Sequence, residues 1–106
     1  MDKKVYLNGK EVNPVWAETI AAVFSSSPRI ESHRTICETL KKVLPKVSEK
    51  MNLKDDSVVE IVWGDYKQTS TIGALKLGVE FGVSITTFKA GKKAVANLED
   101  SLLAAV

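Results

Sequence analysis

Val58-Val59-Glu60-Ile61-Val62-Trp63 is a run of six residues, four of them β-branched, closed by Gly64-Asp65. Branched and aromatic side chains suit a pleated, half-buried surface and Gly-Asp breaks it, so the stretch predicts a strand ending in a turn. Beyond it lies Asp65-Tyr66-Lys67-Gln68-Thr69-Ser70-Thr71-Ile72-Gly73, the longest polar stretch in the chain. It reads as a hairpin loop, because polar connections are the norm between strands. Its hydroxyls, backbone donors and Lys67 also make Tyr66 and Lys67 candidates for contact with an anion. The Gly-x-x-x-x-Gly-Lys-Ser/Thr spacing of a phosphate loop is missing, and a strand, not a helix, is predicted to follow.

That following segment alternates: Leu75, Leu77, Val79, Phe81, Val83 and Ile85 at odd positions, with Lys76, Gly78, Glu80, Gly82, Ser84 and Thr86 between them. Period two predicts extended chain with one buried face. The run is long for a strand, so Gly78 and Gly82 mark a bulge, a bend or a break into two strands. Matching apolar to apolar across the hairpin sets Val59 opposite Leu77, Ile61 opposite Leu75 and Trp63 over Gly73, with Glu60 facing Lys76.

Working outward, Val5-Tyr6-Leu7-Asn8-Gly9-Lys10-Glu11-Val12 places Asn-Gly between two short extended runs, the signature of a type I′ hairpin. Asn13-Pro14 then opens a helix whose apolar face is Trp16, Ile20, Val23 and Phe24 and which Ser25-Ser26-Ser27-Pro28 ends. A longer helix from about Glu31 to Met51 carries Ile36, Leu40, Val43, Leu44, Val47 and Met51 at helical period. Pro45 lies opposite that stripe, where a bend or break is expected. Lys92 to Val106 closes the chain as an amphipathic helix with Val95, Leu98, Leu102 and Val106 on one side. Strands and helices are thus segregated, and residues 1–106 read as a single α+β domain. Its antiparallel sheet, the N-terminal hairpin plus two or three C-terminal strands, packs with three helices.

Chemistry is harder to find. His33 and Cys37 stand four apart on the long helix, as a thiolate–imidazole pair or two metal ligands would. They project onto or beside the apolar stripe, and no second histidine or cysteine exists to complete a site, so core packing is expected and no metal. Among the carboxylates Asp55, Asp56, Glu60, Asp65 and Glu80, the last strand-borne pair, Glu60 and Glu80, offers acid and base groups. An ordinary cross-strand Glu60–Lys76 ion pair is the stronger reading of Glu60, and no catalytic residue is assigned. Arg29, Arg34, Lys41, Lys42, Lys46 and Lys50 gather on the second helix and its approach, diluted by Glu31, Glu38 and Glu49. A solvated face is the simpler meaning, a phosphate backbone the sharper one.

Composition narrows the class. The chain has 106 residues, 44% apolar and 26% charged, with a net charge of +2 that marks neither a dedicated nucleic-acid binder nor a membrane-surface protein. Cys37 is the single cysteine, so an internal disulfide is impossible and a reducing cytoplasm is the expected compartment. Met1 to Glu11 holds no signal-peptide core, and Thr69 to Phe88 is interrupted by charge before reaching membrane-spanning length. The expectation is a non-enzymatic protein-interaction module without cofactor, self-associating as a homodimer or meeting another protein, of a size compatible with a viral or mobile-element accessory protein. Its surface is placed at Gly78 and Gly82, bare of side chains, and at Leu103, which falls off the stripe of the last helix. The alternative is a nucleic-acid or nucleotide-binding accessory protein using the basic helix face and residues 65–73; the third possibility is a small hydrolase or transferase built on acidic residues.

Overall fold

The structure, a computed structural model, describes residues 3–25 and 30–104. In chain order these form β1 (Lys4–Leu7), β2 (Lys10–Val12), α1 (Val15–Ser25), α2 (Glu31–Met51), β3 (Val58–Trp63), β4 (Tyr66–Thr71), α3 (Ile72–Ile85) and α4 (Lys92–Leu103). The strands make one antiparallel sheet in the order β2-β1-β3-β4, so the class is α+β, with four helices where the sequence suggested three.

The N-terminal hairpin turns at Asn8 and Gly9, both at positive φ (54° and 86°), as a type I′ turn requires. Val5 pairs with Val12 and Ile61, and Leu7 with Val59, so the buried strand residues share one face. The helices lay Trp16, Ile20, Leu40, Val43, Ile72, Leu75 and Leu102 against that face. Asn13 accepts the Val15 N–H at 3.0 Å and fixes the start of α1. Its amide also donates to the Ser101 carbonyl at 3.1 Å, and the buried Trp16 indole donates to the Leu102 carbonyl at 2.9 Å. The last helix is thereby tied to the first. Helix α2 runs unbroken from Glu31 to Met51, through Pro45 on its exposed side, and ends at Asn52 in the left-handed region (φ 55°). Ser26 to Arg29, where the end of α1 was expected, and Val106 of the last stripe lie outside the described residues.

The C-terminal half departs from the sequence reading. Residues 66–71 form strand β4, not a loop, and residues 72–85 form a helix, not a strand. Ladder β3–β4 runs from Trp63 opposite Tyr66 to Val58 opposite Thr71, with Ile61 opposite Gln68; no residue of the expected 75–85 strand takes part. Glu60 therefore pairs with Lys67 at 3.3 Å, while Lys76 meets Asp55 at 2.9 Å.

Two local facts explain the exchange. Thr71 is extended (φ −128°, ψ 161°) and its hydroxyl accepts the Ala74 N–H at 3.1 Å, which starts a helix at Ile72. The buried positions Ile72, Leu75, Val79 and Gly82 are spaced three, four and three, a helical stripe hidden inside the alternation. Strand β4, in turn, is a polar edge strand that the helices leave largely exposed, so it shows no hydrophobic period.

Candidate interaction surfaces

An alternating sequence wound into a helix puts residues four apart on the same side, and α3 accordingly carries two apolar stripes. Leu75, Val79 and Val83 face the core. Leu77, Phe81 and Ile85 face outward and are 73%, 62% and 37% exposed. Phe24 of α1 flanks them, 42% exposed, because a methyl group on Gly78 would sit 3.5 Å from its ring. Lys76 and Glu80 are the only charges in α3. They line a shallow groove of about 240 Å³ with Lys41, Leu44, Pro45 and Val79, to one side of the outward stripe.

Gly78 and Gly82 remain on one side of their segment, but the chain's own helices occupy the space beside them. A methyl on Gly78 would lie 2.9 Å from Val23 Cγ1, and one on Gly82 would collide with Cys37 Sγ and lie 2.8 Å from His33 Nε2. The two glycines let α3 close on α1 and α2. Leu103 is half-buried and packs against the core cluster, so it too is engaged within the fold. Tyr66 and Lys67 are exposed on β4, Lys67 in its ion pair with Glu60.

His33 and Cys37 are both buried. Burial pushes the Cys37 thiol up to about 11, against a weaker opposing pull from Arg34, so it holds its proton at neutral pH. No group of three side chains able to hold a metal occurs among the described residues. Glu80 lies exposed on α3, whereas Glu60 is half-buried on β3, so the strand-borne carboxylate pair does not form.

A second surface lies between α2 and α4, where a cleft of about 430 Å³ is lined by Arg34, Glu38, Lys42, Lys89, Lys92 and Glu99, among others. Arg34 bonds Glu38 at 2.6 Å and reaches the Val83 and Thr86 carbonyls at the end of α3. Lys46 donates to Glu99 at 2.6 Å and, by that hydrogen bond first, holds the Glu99 carboxyl below its ordinary range. Both acidic groups are thus neutralised, which leaves the cleft cationic through Lys42, Lys89 and Lys92. None of residues 65–73 lines it.

Sequence reasoning missed Leu77, Phe81 and Ile85 as outward residues because it placed them on a strand's buried side. The signal that finds them is the three-four spacing from Ile72 to Gly82, which assigns the intervening apolar residues to the opposite side. No helix among the described residues is long and apolar enough to cross a membrane. No protein-family model, curated protein or solved structure matches the chain.

Proposed function

We propose that this chain is a small non-enzymatic interaction module that self-associates through the outward stripe of α3. The observation that carries the reading is the exposure of Leu77, Phe81 and Ile85 on a helix already apolar toward the core. Helices apolar on both sides are ordinarily covered on both. A second copy fits because the stripe is symmetric about its middle residue: two antiparallel α3 helices set Phe81 against Phe81 and Leu77 against Ile85 of the other copy, the isologous arrangement of a twofold dimer. Fourteen residues of helix span about 21 Å, and a strip of that length and about 10 Å width covers well under the ~800 Å² per partner of a standard interface, so the neighbouring Phe24 supplies further apolar surface at the flank. A lipid surface fits less well, because α3 has a single cation, Lys76, already bonded to Asp55, where membrane-surface helices carry a basic rim.

Sedimentation at micromolar concentration tests the reading. The wild-type chain is expected to be self-associated, and Phe81→Glu, at a site that the core does not use, is expected to lower the assembly mass by half or more without lowering Tm. A monomeric wild type at its highest soluble concentration overturns the proposal, as does a Phe81→Glu chain of unchanged mass.

A second reading, binding of a phosphate-bearing ligand such as a nucleic-acid backbone, draws its support from the cationic cleft between α2 and α4. Its mark is affinity for an oligonucleotide that falls steeply with salt and is lost in Lys42→Glu. Binding with no salt dependence, or none at low salt, removes it.

A further inference from the structure

We propose that β4 is a second self-pairing surface, which joins β4 of another copy antiparallel about a twofold axis through Thr69 and makes one continuous sheet from two four-stranded ones. The inference goes beyond the α3 contact and stands independently of it.

The two edges of the sheet differ. Edge strand β2 has three residues, of which Lys10 and Glu11 are exposed charges, and both shortness and charge guard an edge against pairing. Edge strand β4 has six residues in an unbroken register, without proline or bulge. Its one charge, Lys67, is held by Glu60 on the neighbouring strand, across the sheet face instead of out from the edge.

The hydrogen-bond pattern identifies the free backbone groups. Asn8 N–H donates to the Val58 carbonyl at 2.7 Å, so Val58, and with it Glu60 and Val62, turn their backbone groups toward β1. Ile72 N–H donates to the Ser57 carbonyl at 3.0 Å, so the odd positions of β3 turn toward β4. Hence Tyr66, Gln68 and Ser70, opposite Trp63, Ile61 and Val59, use their N–H and C=O groups inside the sheet. The N–H and C=O groups of Lys67 and Thr69, and the N–H of Thr71, point out from the edge.

A second copy satisfies these groups by parity alone. Antiparallel pairing about Thr69 puts Thr69 opposite Thr69 and Lys67 opposite Thr71, so every outward residue meets an outward residue. The same arrangement keeps the two Lys67 ammonium groups apart, whereas in-register parallel pairing would set like charges side by side.

Cysteine cross-linking tests this arrangement, with Cys37, the sole native thiol, buried. Directly opposed residues in a hydrogen-bonded pair have Cα atoms about 5.5 Å apart, within disulfide reach. Two Lys67 residues would stand about 14 Å apart along the ladder, well outside it. Thr69→Cys is therefore expected to form disulfide dimers under mild oxidation and Lys67→Cys to remain uncross-linked, both in the wild-type background and in Phe81→Glu. Absence of the Thr69→Cys dimer in either background overturns the proposal, and so does equal cross-linking at both positions. Since α3 pairing is read from the mass of the Phe81→Glu chain, the two readings fail separately.

Discussion

At Gly82 the closeness of two helices is set by a missing methyl group. Gly82→Ala is expected to destabilise the fold, since it forces a carbon onto Cys37 Sγ and to 2.8 Å from His33 Nε2. Overpacking of this kind costs about 1–3 kcal/mol, and the helix propensity gained returns at most ~1 kcal/mol of it. Adding Cys37→Ala removes the colliding sulfur, so the double variant is expected to lose at least about 0.5 kcal/mol less than the two single losses together, read from urea midpoints. Cys37→Ala alone is expected to cost about 1–2 kcal/mol as a small truncation. The thiol also makes stability depend on pH. Its folded value of about 11 lies above the ordinary 9.0, so its contribution is whole below pH 9 and is lost as pH rises toward 11, while the unfolded chain ionises first. The difference between the two values corresponds to roughly 1–3 kcal/mol at most. The wild type is expected to lose more stability than Cys37→Ala between pH 8 and 11; equal slopes would show a thiol open to solvent. The burial of His33 and Cys37 was legible from their place on the α2 stripe. Their meeting with Gly82 was not, because it depends on the hand and angle of a helix that the alternation disguised.

At the scale of the element, one hydroxyl decides where strand becomes helix. Thr71→Ala is expected to cost about 1 kcal/mol, as loss of a helix cap does, whereas Thr71→Ser is expected to retain most of it; thermal unfolding of the two distinguishes a capping role from packing of the threonine methyl. The elements read from strong local signals are in place: the Asn8-Gly9 hairpin, α1 behind Asn13, α2 over residues 31–51, and β3. The two misread elements share a cause. Hydrophobic periodicity reports which positions are buried in the chain's final surroundings. A polar edge strand such as β4 buries little and gives no signal. A helix such as α3, apolar inward at Leu75 and Val79 and outward at Leu77 and Phe81, gives the signal of a strand. The polar run's Tyr and Thr content and the Thr71–Ala74 capping spacing were the available counter-signals. The same disguise hid which side of the segment is open: Gly78 and Gly82 lie against α1 and α2, and the exposed apolar side chains are Leu77, Phe81 and Ile85.

On the whole molecule, the two proposed contacts have a joint consequence that neither has alone. A chain with one isologous interface stops at a dimer, whereas a chain with two on different faces goes on either to a closed tetramer or to an open filament. Leu77, Phe81 and Ile85 use side chains on the helical layer; Lys67 and Thr69 use backbone on the edge of the sheet. The wild type is therefore expected to exceed dimer mass as its concentration rises. Phe81→Glu, which keeps only the edge, is expected to stop at a dimer. Thr69→Lys sets two like charges opposite each other on the β4 axis, with Glu60 of the same chain beside each, and is expected to stop at a dimer through α3. Phe81→Glu with Thr69→Lys is expected to be a folded monomer. Salt separates the single variants further, since screening lets the Thr69→Lys edge re-pair but does little for a glutamate buried in an apolar contact. Rising ionic strength is expected to increase the mass of Thr69→Lys toward that of the wild type. A wild type that stays dimeric at all concentrations, with one single variant already monomeric, would leave one axis in place and remove the other.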